Sequence, residues 1–176
     1  MMHRKKLGMI LFLLFIGWTG MIFYFSSQPP ERSYSQSGMT VKMLRTVNDL
    51  FDITDTHLYG KLEHVLKNTW PFSKYQSTNA VVRKSAHFGM YFLLGMLSAA
   101  FGYLYAKKML IGFLLGVSLP VVIAVLDEFN QEFVGRTSSL NDVIIDGTGA
   151  LTGTLIIIFL TGVVKIIRSV NRKLRK

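Results

Sequence analysis

The sequence predicts an all-α membrane protein with four transmembrane helices and a mostly helical extracytoplasmic loop after the first. Three observations predict it. Half of the 176 residues are hydrophobic, and the mean hydropathy is +0.36. Four apolar runs, at about 7–25, 85–105, 109–126 and 143–164, each approach the ~20 residues that cross ~30 Å of hydrocarbon as a helix. These runs also lack the polar stripe that a soluble core helix would carry. The length suits a single membrane domain spanning residues 1–176.

The first run follows the basic segment "HRKK" and so resembles a signal peptide. It is too long for a usual apolar signal core, and "YFSSQPP" offers no small-residue cleavage site, so it reads as an uncleaved anchor. The Pro- and Ser-rich "FSSQPPERSYSQSG" then marks a turn leaving the membrane. In the loop 26–84, Val41, Leu44, Val47 and Phe51 recur at helical spacing, as do Leu58, Leu62, Val65 and Trp70. Thr56 is placed to cap the second of these segments and Pro71 to end it. Both are amphipathic and suit either the membrane interface or a cover on the bundle.

The remaining runs carry packing signals. Gly95-x-x-x-Ala99 and Ser98-x-x-x-Gly102 lie in the second, Gly112-x-x-x-Gly116 in the third, and Gly149-x-x-x-Gly153 in the fourth. Small residues at this spacing let helices approach closely in lipid. Pro120 is expected to kink the third helix ahead of Asp127.

The net charge of +10 is distributed for topology rather than for nucleic acid. Residues 1–6, Lys107, Lys108 and 165–176 together hold eleven Lys or Arg and no acid, and four alternating spans put all of them on one side. Basic residues flanking short loops mark the cytoplasmic face. Both termini are therefore expected in the cytoplasm, with the basic tail against anionic lipid. The absence of cysteine excludes disulfides, thiolate metal sites and a thiol nucleophile.

Half of the acidic residues fall in "VLDEFNQEFVGRTSSLNDVIID", residues 125–146. Asp127 and Gln131 lie one helical turn apart, as do Glu128 and Glu132. Ser139 is placed as an N-cap with Asp142 as its capping-box partner, and Asp146 sits near the positive end of the fourth helix. In "VVRKSAHFGMYFLLG", Arg83, His87 and Tyr91 share a face, with Lys84 three residues before His87. Alternating spans bring both groups to the outer edge, where charges are costly unless paired.

Three readings of this constellation stand side by side. Arg83, Lys84 and Arg136 could neutralise Asp127, Glu128, Asp142 and Asp146 as a structural network. They could clamp an anionic or polar ligand. His87 with Asp127 or Glu128 could instead be catalytic acid–base partners, around a divalent cation held by Asp127, Glu128 and His87. No metal is assigned, because one His beside carboxylates is a weak signal for a cation. No cofactor is identified, and no nucleotide-binding loop, H-E-x-x-H or G-x-S-x-G pattern is present.

"FSSQP", "RKSAHFGMYFLLG" and "DEFNQEFVGRTSSLNDVIIDGTGALTG" together resemble the VanZ-like family over nearly the whole chain. The family's motif residues correspond to Ser27, Gln28, Arg83, His87, Tyr91, Asp127, Glu128, Gln131, Arg136, Asp142 and Gly149. Two departures are "FVGR", without the family's proline, and Asp146, where an Asn is common. The resemblance implies a multi-pass protein of the bacterial cell membrane, linked to lowered susceptibility to glycopeptide antibiotics, teicoplanin above all. The resemblance does not imply what each of these residues does; the ligand site expected from the polar constellation comprises Arg83, Lys84, His87, Tyr91, Asp127, Glu128, Gln131, Arg136, Asp142 and Asp146. The expected partners are membrane lipids, a lipid-linked cell-wall precursor or the glycopeptide itself, with no nucleic acid. A membrane enzyme acting on a lipid head group or phosphate ester through His87 is one alternative, and a structural assembly subunit is another.

Overall fold

The computed structural model describes residues 2–32 and 78–174, and between them only residues 35, 38–40, 42, 43, 46, 61 and 64. The apolar positions of the two expected amphipathic segments, from Val41 to Trp70, lie outside the described residues. Four long helices organise the chain: α1 (Met2–Ser26), α2 (Thr78–Ala106), α3 (Met109–Phe133) and α4 (Leu140–Leu174). All four are long and apolar enough to cross a membrane, and the described residues contain no strand.

The helices overrun the apolar windows. α3 runs past the expected 126 to Phe133 and takes Asp127 and Glu128 with it, while α4 starts at Leu140 instead of 143. A hydropathy window ends at the first charges, but a helix ends where its backbone groups find other partners. At the end of α3, Val134 is the C-cap and Gly135 follows with φ +73°. The Gly135 N–H donates to the Glu132 carbonyl at 3.2 Å and the Arg136 N–H to the Gln131 carbonyl at 3.1 Å. This is a Schellman ending, in which Gly135 adopts the left-handed conformation that a side chain would resist. α3 is helical through Pro120, which is buried. α4, at 35 residues, is roughly 52 Å long and extends beyond the hydrocarbon through its basic last turns.

α2, α3 and α4 pack on one another pairwise, and α1 lies against α2 and α3. The outer surfaces are apolar, with Leu13, Leu114, Val122, Phe159 and Leu160 among the exposed side chains, as a lipid-facing bundle requires. Association in lipid depends on close packing, since the tails are as apolar as the side chains. The small residues supply it. A Cβ added at Gly95 would lie 2.8 Å from the Ala150 Cα, and one at Gly112 2.9 Å from the Ala99 carbonyl oxygen. Cβ atoms at Gly149 and Gly153 would strike the backbones of Phe88 and Phe92. α1 is held differently, by the Trp18 indole N–H donating to the Met90 carbonyl at 2.8 Å and by Ile22 packed with Tyr91, Leu94 and Ala124.

Gly95→Ala should therefore force α2 from α4 and cost about 1–3 kcal/mol, the usual range for overpacking. Gly20→Ala, whose Cβ would meet nothing within 4 Å, should be neutral. Thermal unfolding of the two variants in detergent checks this, and equal midpoints would contradict the packing described.

Candidate functional site

Four helix ends meet at one end of the bundle: the last turn of α1, the first turns of α2 and α4, and the last turns of α3. Each contributes polar side chains there, at or just inside the end of its apolar run. The burial is deep. Tyr91, Asp127 and Asp146 have no exposed surface, and Gln131, Glu128, Lys84, Asp142 and His87 are all at most 8% exposed. The acids expected at a wet boundary are inside the bundle, because α3 and α4 extend around them.

Partners can be traced group by group. Lys84 on α2 forms an ion pair with Asp142 on α4. Asp142 is thus drawn across to α2, and the capping-box role expected of it falls elsewhere. The Ser139 N–H donates to Glu128 Oε2 at 2.7 Å, while Ser139 Oγ accepts from the Asn141 N–H at 3.2 Å, as an N-cap does. The Gln131 amide donates to Glu128 Oε1 at 3.0 Å and to Asp127 Oδ2 at 3.3 Å. The Schellman turn brings Arg136 back over the bundle, where its Nη1 donates to the Ser26 carbonyl at 3.2 Å.

His87 Nδ1 lies 3.5 Å from Asp146 Oδ1, too long for a hydrogen bond in good geometry. Ser26 Oγ, Arg83 Nε, His87 Nδ1, Tyr91 Oη, Asp127 Oδ1 and both oxygens of Asp146 are buried with no hydrogen-bond partner among the described residues. One nitrogen of His87 and one oxygen each of Asp127 and Asp146 lie within 4.8 Å of one another. The cation considered from sequence was shared by Asp127, Glu128 and His87. The structure instead turns Glu128 toward Ser139 and Gln131, and Asp146 takes its place.

A cavity of about 480 Å³ opens beside this cluster. Its lining mixes apolar side chains, Ile22, Phe25, Met39, Val82 and Met90, with the polar Ser26, Arg83, His87, Asp127 and Arg136. The Arg136 guanidinium is half-buried. Burial first, and then the like charge of Arg83, hold its pKa below the ordinary value, against the opposite pull of Asp127, Glu128 and Asp142. Two guanidiniums converging on one cavity make an anion-binding geometry.

The structure thus brings together Arg83, Lys84, His87, Tyr91, Asp127, Glu128, Gln131, Arg136, Asp142 and Asp146, though in two groups. Arg83, His87, Asp127 and Arg136 line the cavity, while Lys84 and Asp142 form an ion pair beside it. Of the other motif residues, Ser27 accepts a hydrogen bond from Asn130 Nδ2 at 3.0 Å, joining α1 to α3. Gln28 is turned to the Tyr24 carbonyl and to Arg32, away from the cluster. Glu132 is exposed. Ser26 was missed from sequence, although it stands in the "FSSQP" motif one place before Ser27. It is the serine that lines the cavity.

Removing one member of the buried Lys84–Asp142 pair strands the other's charge, so Lys84→Met should lower stability by about 3–5 kcal/mol. The double variant Lys84→Met with Asp142→Leu should recover much of that loss. A double-mutant cycle in thermal unfolding measures the difference, and simple additivity would refute the coupling.

Comparison with curated proteins and with solved structures finds no match to this chain. A family model described as VanZ/LLP1 matches residues 10–161. The match begins within α1 and ends in α4, so it takes in every helix end that builds the site. The chain is a multi-pass membrane protein of the VanZ/LLP1 family.

Proposed function

We propose that this protein binds a lipid-linked, anionic cell-envelope ligand in the cavity between α1, α2 and α3, and thereby lowers susceptibility to glycopeptide antibiotics such as teicoplanin. The observation that carries this reading is the cavity's mixed lining of two guanidinium side chains with apolar ones. Arg83 and Arg136 would take an anionic head group, and Ile22, Phe25, Val82 and Met90 the apolar chain attached to it. Ligand sites of this kind combine apolar walls with a few convergent polar groups. Asp127 and Ser26 supply an acceptor and a hydroxyl for the uncharged part of the head group. The basic residues near both ends of the chain and at Lys107 and Lys108 support the expectation of cytoplasmic termini, and with it an outer-leaflet position for this cavity.

Each guanidinium-to-anion hydrogen bond contributes about 1.5–3 kcal/mol, or roughly 10- to 150-fold in affinity. Arg83→Ala and Arg136→Ala should each weaken binding of a polyprenyl phosphate in lipid nanodiscs by that factor. They should also abolish protection against teicoplanin while protein abundance stays at the wild-type level. Unchanged inhibitory concentrations in well-expressed variants would refute the reading, and loss of the protein itself would favour the assembly-subunit alternative.

A second reading is favoured by His87, which lines the same cavity with Asp146 beside it. An imidazole next to a carboxylate is an acid–base pair, and a membrane enzyme acting on a lipid phosphate ester would use it there. Such an enzyme predicts an altered lipid profile on deletion that wild-type protein restores and His87→Ala does not.

A further inference from the structure

We propose that His87, Asp127 and Asp146 form a binding site for one divalent transition-metal ion, of the kind that Zn²⁺ or Mn²⁺ occupies. The site goes beyond the ligand-binding reading above: it shares His87 and Asp127 with the cavity's lining but rests on their meeting with Asp146, and its test reads bound metal and not the anionic ligand.

The first observation is geometric. Three residues from three different helices each present one donor atom, and the three donors lie within 4.8 Å of one another. Metal–nitrogen and metal–oxygen bonds of about 2.0–2.2 Å place the donors of one ion about 3–4 Å apart. A closing movement on the order of 1 Å, within reach of side-chain rotation, converts the observed arrangement into a ligand set.

The second observation is an unmet need for a partner. Asp127 and Asp146 have no exposed surface, yet Asp127 Oδ1 and both Asp146 oxygens accept no hydrogen bond, and His87 Nδ1 has none either. The Tyr91 hydroxyl, also without exposed surface and without a hydrogen-bond partner, lies beside Asp127 and Asp146. Buried polar groups are almost always satisfied, and a buried charge is paired or coordinates a metal. The neighbouring charges have other engagements. Lys84 pairs with Asp142, and Arg136 Nη1 is turned to the Ser26 carbonyl. A protonated His87 would offset one carboxylate of the two. A divalent ion offsets both and leaves His87 neutral, the form that ligates.

The donor types narrow the ion. One imidazole with two carboxylates, and no thiolate anywhere in the chain, suits Zn²⁺ or Mn²⁺. Three protein ligands leave further coordination positions open. His87 and Asp127 both line the cavity, which gives those positions access to it.

The test is direct. Full-length protein purified in detergent is stripped with a chelator, then dialysed against Mn²⁺ or Zn²⁺, and bound metal is read by electron paramagnetic resonance and by elemental analysis. The expected result is one ion per chain. Asp146→Asn and His87→Ala should weaken binding by more than the roughly 10–100-fold typical of outer-shell partners. Glu132→Gln, an exposed acid on the same helix as Asp127, should bind as wild type does. Added metal should raise the thermal midpoint of wild type and leave that of Asp146→Asn unchanged, a readout that also reports whether each variant is folded. Folded wild-type protein that takes up no ion overturns the proposal, as does an Asp146→Asn variant that binds as tightly as wild type. Either result makes the cluster an internal His–carboxylate contact.

Discussion

The close approach of α2 to α4 is the constraint on which the polar end of this bundle depends. Where Gly149 and Gly153 face the backbones of Phe88 and Phe92, and Gly95 faces Ala150, there is no room for a Cβ. Helices held at that distance can be bridged by short side chains. Asp146, one turn before Gly149, therefore reaches the neighbourhood of His87, which directly precedes Phe88. With larger residues at the crossing, the same carboxylate would face lipid or a void, and its burial would be prohibitive. Packing and polar chemistry are thus one design, because the glycines that bring the helices together also decide which charges meet.

Energetically, this end of the molecule is arranged so that most buried charges are answered locally. The Lys84–Asp142 pair joins α2 to α4, Glu128 serves as the external cap of α4 through the Ser139 N–H, and Gln131 bridges two carboxylates of its own helix. These bonds tie three helix ends together beside the cavity. Against that background the unanswered oxygens of Asp127 and Asp146 stand apart. They lie beside the cavity and out of the main ion pair, so the Lys84–Asp142 network and the His87, Asp127 and Asp146 cluster are adjacent but separable. A site can be held in place by one set of charges while another set remains available to a ligand.

Much of this was legible in the chain itself. Four apolar runs announced four spans, and the small-residue pairs announced which helices pack closely. Helical spacing put Arg83, His87 and Tyr91 on one face. The family motifs marked the residues that converge. Less legible were the ends of the elements. Asp127 and Glu128 interrupt an apolar run, so hydropathy closes the third span before them, whereas the helix continues to the Gly135 turn. The capping pattern at Ser139 was read correctly for its hydroxyl, but the residue that meets the Ser139 N–H comes from another helix, which no local pattern encodes.

The division has a physical cause. Hydropathy, helical periodicity and motif order are properties of neighbours along the chain, and they determined by themselves the four helices, the faces that carry charge and the family. Which carboxylate meets which base is a property of neighbours in space. The sequence offered Asp127 and Glu128 as partners for His87, and nothing along the chain told that Asp146, an acid on another helix at the same edge, would stand there in place of Glu128. Only the rotation and separation of α3 and α4 against α2 turned Glu128 to the cap of α4, gave Lys84 to Asp142, and left Asp127 and Asp146 together at His87.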